Sequence, residues 1–173
     1  MTTRRRNVAV IGGYRASAYE ADLAYHLGKL LARDGYNLIQ GGRQGVMLHA
    51  ARGFQEQREI SQSRCVVVGL LPGHDASDAT AYLDVALPTG MGYLRNGLIT
   101  CASDAVLAIG GMAGTLSEIS LAWQMGKPIA LLGSSRWSEL LGDRPLDARR
   151  ADRLIRLNGA EDAGVWLASQ WTK

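Results

Sequence analysis

The residues best placed to do chemistry lie in one stretch, Ile109-Gly110-Gly111-Met112-Ala113-Gly114-Thr115-Leu116-Ser117-Glu118. A short apolar run, Ala105 to Ile109, leads into it and reads as a buried strand. Leu116 to Met125 follows, with apolar residues at helical spacing. A strand, a glycine-rich turn and a helix N-terminus together make an anion site. Glycines let backbone approach a ligand, and the first free N–H groups of the helix point at the bound anion. Thr115 adds a hydroxyl donor. Glu118 is expected in the first helical turn. It fits two readings: an acid that acts on a second atom of the ligand, or a capping acid stabilised by the helix dipole by up to about 1 kcal/mol.

The chain that must position this stretch has 173 residues, enough for one domain with a sizeable core. Hydrophobic residues make up 47% and charged residues 20%, as in ordinary globular proteins. The net charge of +3 suits a phosphorylated small ligand and is too weak to argue for nucleic acid. No run is long or apolar enough to span a membrane, and no signal-type core follows the basic start, Arg4-Arg5-Arg6. A cytoplasmic protein is expected, with a basic, solvated tail over residues 1–6. Cys65 and Cys101 each lie in an apolar run and read as buried thiols. His26 and His49 have no partners at ligand spacing, so no metal site is expected.

Taken in order, apolar runs alternate with helical patterns. Asn7 to Ile11 is a buried strand, followed by the loop Gly12-Gly13-Tyr14-Arg15. Ser17-Ala18-Tyr19-Glu20 has capping-box spacing, and Leu23, Leu27, Leu30 and Leu31 form the stripe of the helix behind it. Gly35 closes that helix. Tyr36 to Gln40 is a second strand, and Gly41-Gly42-Arg43-Gln44-Gly45 a second glycine loop. Val46, Ala50, Gly53 and Phe54 mark a helix face, and the polar segment Gln55 to Ser63 reads as a connection. Arg64 to Leu71 holds a third strand, Pro72 to Asp78 a polar loop, and Val85-Ala86-Leu87 a fourth strand. Thr89-Gly90 opens a helix with Leu94, Leu98, Cys101 and Ala102 on its apolar face. After the central motif come a strand at Ile129 to Leu132, a short helix at Trp137 to Leu141, a last strand in Arg153 to Leu157 and a helix from Glu161 to Trp171. Trp123, Trp137, Trp166 and Trp171 read as core or subunit-contact residues, with Trp166 on a helix face suited to an oligomer patch.

This alternation, with strands that lack polar alternation, predicts an α/β fold. It is a Rossmann-like, doubly wound parallel sheet of about six to seven strands in one domain over residues 1–173. Ligands bind such sheets at the carboxyl ends of the strands. That edge collects Gly12, Gly13, Gly41, Gly42, Arg43, Pro72, Gly73, Thr89 and Gly90 beside the central motif. His74, Asp75 and Asp78 lie on the same edge and read as loop polarity. No G-x-G-x-x-G follows the first strand, which disfavours an ordinary NAD-dependent dehydrogenase.

The stretch Gly110 to Glu118 resembles the P-G-G-x-G-T-x-x-E motif of the Lonely Guy (LOG) family. Arg95 stands fifteen residues before Gly110, where that family carries an Arg-Lys pair. Gly41-Gly42-Arg43-Gln44-Gly45-Val46-Met47 resembles its G-G-x-x-G-x-M stretch, so the likeness covers about residues 7–132. Known members are Rossmann-like phosphoribohydrolases, which cleave a nucleoside 5′-monophosphate, typically a cytokinin nucleotide, into free base and ribose 5-phosphate. The resemblance implies a phosphate loop over Gly111, Met112, Ala113, Gly114 and Thr115. It implies a catalytic pair, Arg95 and Glu118, and sites near a dimer interface. Arg95 would act electrostatically, clamping an oxyanion, because an arginine stays protonated.

Three positions depart from the LOG pattern: Gly110 replaces its proline, Met112 its second glycine, and Asn96 its lysine. With Leu71-Pro72-Gly73 and Leu83-Asp84-Val85-Ala86, these features are similar to a sister group within the wider SLOG superfamily, the molybdenum cofactor carrier proteins. That group binds a pterin bearing a phosphate. Two function classes are therefore expected: a nucleoside monophosphate hydrolase, or a carrier of molybdenum cofactor or a nucleotide. Asn96 joins the expected ligand contacts. No cofactor is expected to be required, and the expected partners are a small phosphorylated ligand and further copies of the chain in a homodimer or homotetramer.

Overall fold

The computed structural model describes residues 4–172. The chain runs β1 (Asn7–Gly12), α1 (Ala18–Arg33), β2 (Asn37–Gln40), α2 (Val46–Ser61), β3 (Val67–Leu71) and β4 (Val85–Pro88). A 3₁₀ turn (Gly92–Arg95) then runs into α3 (Asn96–Cys101), followed by β5 (Ala105–Ile109) and α4 (Ala113–Gln124). The chain ends with β6 (Ile129–Leu132), α5 (Arg136–Leu141), β7 (Ile155–Leu157) and α6 (Ala160–Gln170). The strands form one sheet in the order β4-β3-β2-β1-β5-β6-β7, and every pairing is parallel.

Two cores explain the uninterrupted apolar strands. On one face α1, α2 and α6 press Leu27, Phe54 and Leu167 onto Val8, Val10 and Leu107. On the other, α3 and α4 press Ile99, Ile119 and Trp123 onto Ala9, Ile11 and Val106. The sheet is therefore doubly wound, as its strand composition requires. Strand order reverses at β1, whose neighbours are β2 and β5. A crevice opens outside the carboxyl ends of the strands at such a reversal.

Several local readings need correction. Gln55 to Ser61 is not a connection, because α2 continues through it. Gln and Arg are good helix formers, and here they have partners. Gln55 Nε2 donates to Tyr82 O at 3.0 Å, and Arg58 Nη1 to Asp84 Oδ2 at 2.7 Å. The helix expected from Thr89-Gly90 starts later, and its core face is Ile99 and Thr100 with Asn96. Leu94, Leu98, Cys101 and Ala102 point outward, so Cys101 is an exposed thiol while Cys65 is buried as expected. Of the expected tail, residues 1–3 lie outside the described residues. Arg4 is tied down by Asp104 at 2.7 Å, and Arg6 lies 4.8 Å from the centre of the Trp171 ring. Trp166 and Trp171 pack against the chain's own core, and Trp171 Nε1 donates to the Tyr36 hydroxyl.

The capping box is present: Ser17 Oγ accepts from Glu20 N, and the Glu20 carboxylate accepts from Ser17 N. Behind it α1 crosses α2 almost backbone to backbone. A Cβ on Gly28 would lie 2.0 Å from Ala50 O, and one on Gly53 2.1 Å from Tyr25 O. Gly53→Ala should therefore lower stability by about 1–3 kcal/mol through overpacking. The gain in helix propensity, about 1 kcal/mol, is too small to offset the upper part of that range. Urea denaturation should show a lower midpoint at unchanged slope. An unchanged midpoint would mean that the two helices do not touch there.

Candidate functional site

A cavity of about 800 Å³ occupies the crevice between the ends of β1 and β5. Its floor is backbone from Gly12, Gly13 and Gly41, and one wall is the start of α4, Met112 to Thr115. Arg43, Arg95 and Glu118 supply its charged side chains, with the Asn96 amide beside them.

The turn after β5 is built by two left-handed glycines, Gly110 at φ +55° and Gly111 at φ +84°. Proline fixes φ near −65°, so position 110 excludes the proline of the LOG pattern. A Cβ there would also sit 1.7 Å from Glu20 Oε1, so that carboxylate would have to move. A Cβ on Gly111 would collide with the Thr115 side chain at 2.0 Å. Trp137, from α5, fixes the turn from behind, donating from Nε1 to Gly111 O at 3.1 Å. No side chain caps α4. Its first N–H groups are left for another acceptor, as at helix starts that bind anions. A Cβ on Gly114 would meet nothing within 4 Å, so the backbone is open to close approach there.

Glu118 is not in the first turn, since α4 begins at Ala113. That removes the capping reading. Its side chain lies one turn deeper, in a residue only 7% exposed, and faces the cavity. Burial raises its pKa from 4.5 to about 7, while Arg95 pulls in the other direction. The Arg95 pKa is lowered, chiefly by burial, with Glu118 opposing and Arg43 adding to the fall. The guanidinium nonetheless stays protonated at neutral pH. It lies against Gly41: a Cβ on that residue would be 2.5 Å from Arg95 Nη1.

Asn96, which stands where the LOG enzymes carry lysine, is buried and already engaged. Its Nδ2 donates to Ser117 Oγ at 3.0 Å and to Gly114 O at 3.3 Å, joining α3 to the start of α4. Arg43 reaches the cavity from the loop after β2. Its Nη2 donates to Asp78 at 2.8 Å, and its guanidinium lies 4.8 Å from the centre of the Tyr14 ring.

The structure thus brings together Gly12, Gly13, Gly41, Arg43, Arg95, Asn96, Met112, Ala113, Gly114, Thr115 and Glu118. Gly111 lies just behind the lining, and Gly42 packs on Leu71 and Leu83 instead. Pro72, Gly73, Thr89 and Gly90 form a separate turn beside β3 and β4. In it Gly90 N donates to Gly73 O at 2.8 Å and Thr89 Oγ1 to Leu71 O at 2.8 Å. Sequence reasoning missed Tyr14, Met47, Tyr93 and Ser117, which also line the cavity. Tyr14 carried a signal, its place directly after Gly13 at a strand end. Trp137 carried none, because its role depends on where α5 docks. Among the described residues no group of three or more His, Cys, Asp or Glu could hold a metal ion, and no cysteine lines the cavity.

Known proteins agree with this architecture. The chain is 35% identical over 125 residues to an uncharacterized protein of Archaeoglobus fulgidus, covering 72% of this chain and 78% of that one. The molybdenum cofactor binding protein of the phototrophic bacterium Rippkaea orientalis superposes with a TM-score of 0.84 at 29% identity, covering 99% of this chain and 100% of that one. The molybdenum cofactor carrier protein of Chlamydomonas reinhardtii gives 0.81 at 26% identity, covering 98% and 100%. The model of the SLOG cluster4 family matches residues 5–163, strand β1 through the first turn of α6, and the chain belongs to that family.

Proposed function

We propose that this protein binds a small ligand composed of a planar heterocycle and a phosphate, and that it carries that ligand as the molybdenum cofactor carriers do. The observation that carries this reading is the uncapped start of α4 beside the open backbone of Gly114. The phosphate would sit on the N–H groups of Gly111 to Thr115, where the helix dipole favours an anion. The cavity is of the size that small-molecule sites have, roughly 300–1,000 Å³. Molybdenum cofactor or a nucleotide enters as cargo, held by this chain's backbone and by Arg95, and the protein chemistry reduces to binding and orientation. The likeness to two cofactor-binding proteins along nearly their whole length supports the carrier reading over the enzyme.

A second reading has one specific observation in its favour. Arg95 and Glu118 face the same cavity, and Glu118 is poised near neutrality. In a phosphoribohydrolase the carboxylate would stabilise the sugar cation as the glycosidic bond breaks, or take a proton from the water that adds to the sugar carbon. The freed base leaves with a proton. General-base help of this kind is worth about 10²- to 10⁴-fold in rate.

Incubation with a panel of nucleoside monophosphates separates the two readings. The carrier reading expects ligand retained in native mass spectra with no base released. Gly114→Asp, which puts a charge where the anion sits, should abolish retention while the circular dichroism spectrum is unchanged. Base release by the parent, slowed at least about 10²-fold in Glu118→Gln with AMP affinity kept, would put the hydrolase first.

Glu118 also sets a pH dependence. Its folded pKa lies above its unfolded value, so between pH 4.5 and about 7 the folded state holds a proton that the unfolded state has lost. Stability should fall as pH rises through that window, by up to about 3 kcal/mol from this group. Glu118→Gln has no such proton. Urea denaturation should find it more stable than the parent at pH 8 and level with it near pH 4.5. A constant difference at both pH values would show that the carboxyl is not buried as described.

We also propose that the chain self-associates through the outward face of the 3₁₀ turn and α3. Tyr93 is 89% and Leu94 77% exposed there, beside Met91 and Leu98. Light scattering at micromolar concentration should then give a mass above 18.6 kDa. Leu94→Glu should shift the mass toward the monomer, and a monomeric parent would exclude this face as an interface.

A further inference from the structure

The cavity holds more positive charge than one phosphate on α4 would use. Arg43 and Arg95 both line it, and in both Nε is buried with no hydrogen-bond partner. The Arg95 guanidinium forms no ion pair or hydrogen bond among the described residues, although its donors face a cavity. Arg43 spends one nitrogen on Asp78, which holds it from the solvent side, and its plane rests on Tyr14. The two guanidinium groups repel each other, and Glu118 offsets part of that repulsion at Arg95. Like charges drawn together out of bulk water are unfavourable unless an anion lies between them. Guanidinium forks match the geometry of oxyanions, which they bind through paired N–H donors.

The arginine side chains lie on the β2 side of the cavity, and the turn that leads into α4 lies on the β5 side. Arg95 lies against Gly41, at the end of β2, and the turn of Gly110 and Gly111 follows β5. These strands flank β1 on its two sides. Their ends are therefore two strand spacings apart, about 10 Å. Side chains reaching inward shorten the span between bound groups.

We infer that Arg43 and Arg95 form a second anion subsite, so that the ligand of this protein carries two separate anionic groups, one on the start of α4 and one at the end of β2. This inference rests on the reading of Gly111 to Thr115 as the first anion site. It narrows the ligand class from a heterocycle with one phosphate to a doubly anionic molecule whose charges lie at most about 10 Å apart. It also gives Arg43 a task, that of selecting for the second charge.

Calorimetry on the full chain with AMP and with adenosine 3′,5′-bisphosphate tests this, because the two share base, sugar and 5′-phosphate. The parent should bind the bisphosphate at least about 10-fold more tightly, the gain expected of a charge-assisted hydrogen-bonded pair. Arg43→Gln should erase the difference between the two nucleotides, and Arg43→Lys, which keeps the charge without the fork, should retain part of it. Circular dichroism checks that both variants are folded. Equal affinity for the two nucleotides in the parent, or a difference that survives in Arg43→Gln, overturns the second subsite and leaves the first standing. Binding of neither nucleotide overturns both.

Discussion

The reversal of strand order at β1 is the constraint on which the rest of this structure depends. Chain leaving β1 for β2 must cover one face of the sheet, and chain leaving β5 must cover the other. Loops at the carboxyl ends of β1 and β5 therefore part company, and nothing from the strands themselves fills the gap between them. All of the candidate chemistry is borrowed from elements that border this gap. The backbone comes from the turns after β1, β2 and β5, the cations from the 3₁₀ turn and the loop after β2, and the carboxyl from the second turn of α4.

Within the gap, burial and charge work against each other. Glu118 is pushed toward the neutral form by desolvation and toward the charged form by Arg95. Arg95 loses solvent and gains only a carboxyl that is half protonated near neutrality. Two groups that were fully committed to each other would leave little for a ligand. Here the attraction is incomplete, and both retain hydrogen-bonding capacity directed into open space. Asn96 contrasts with them. Its amide is spent on α4, so it contributes stiffness to the wall rather than a free donor.

What could be read from the chain alone divides along physical lines. Features set by neighbours in sequence were legible: the capping box of Ser17 and Glu20, the fully apolar run of β5, and the glycine turn that follows it. Features set by a distant partner were not. The polar half of α2 looks like a loop until Asp84 and Tyr82 O are seen to receive Arg58 and Gln55. The stripe of Leu94 and Leu98 has helical spacing, yet spacing cannot say which side of a short helix meets the sheet, and here Ile99 does. The lining of the candidate site was legible where it is made of motif residues, Arg95, Met112 to Thr115 and Glu118. It was illegible where a side chain arrives from elsewhere, as Trp137 does. The loops of Pro72 and Thr89 lie on the right edge of the sheet, but they follow β3 and β4, two and three strands away from β1.

The contact between Glu20 and Gly110 has a consequence for related sequences. One oxygen of that carboxylate closes the cap of α1, and the other occupies the space that a side chain at position 110 would need. The two positions, ninety residues apart in the chain, are thus bound by a single steric account. A relative with the same backbone that carries a side chain at 110 must shorten or turn away the residue at 20, and so must start its first helix by other means. Position 20, remote from any motif, would then vary in step with the motif's opening residue across the family.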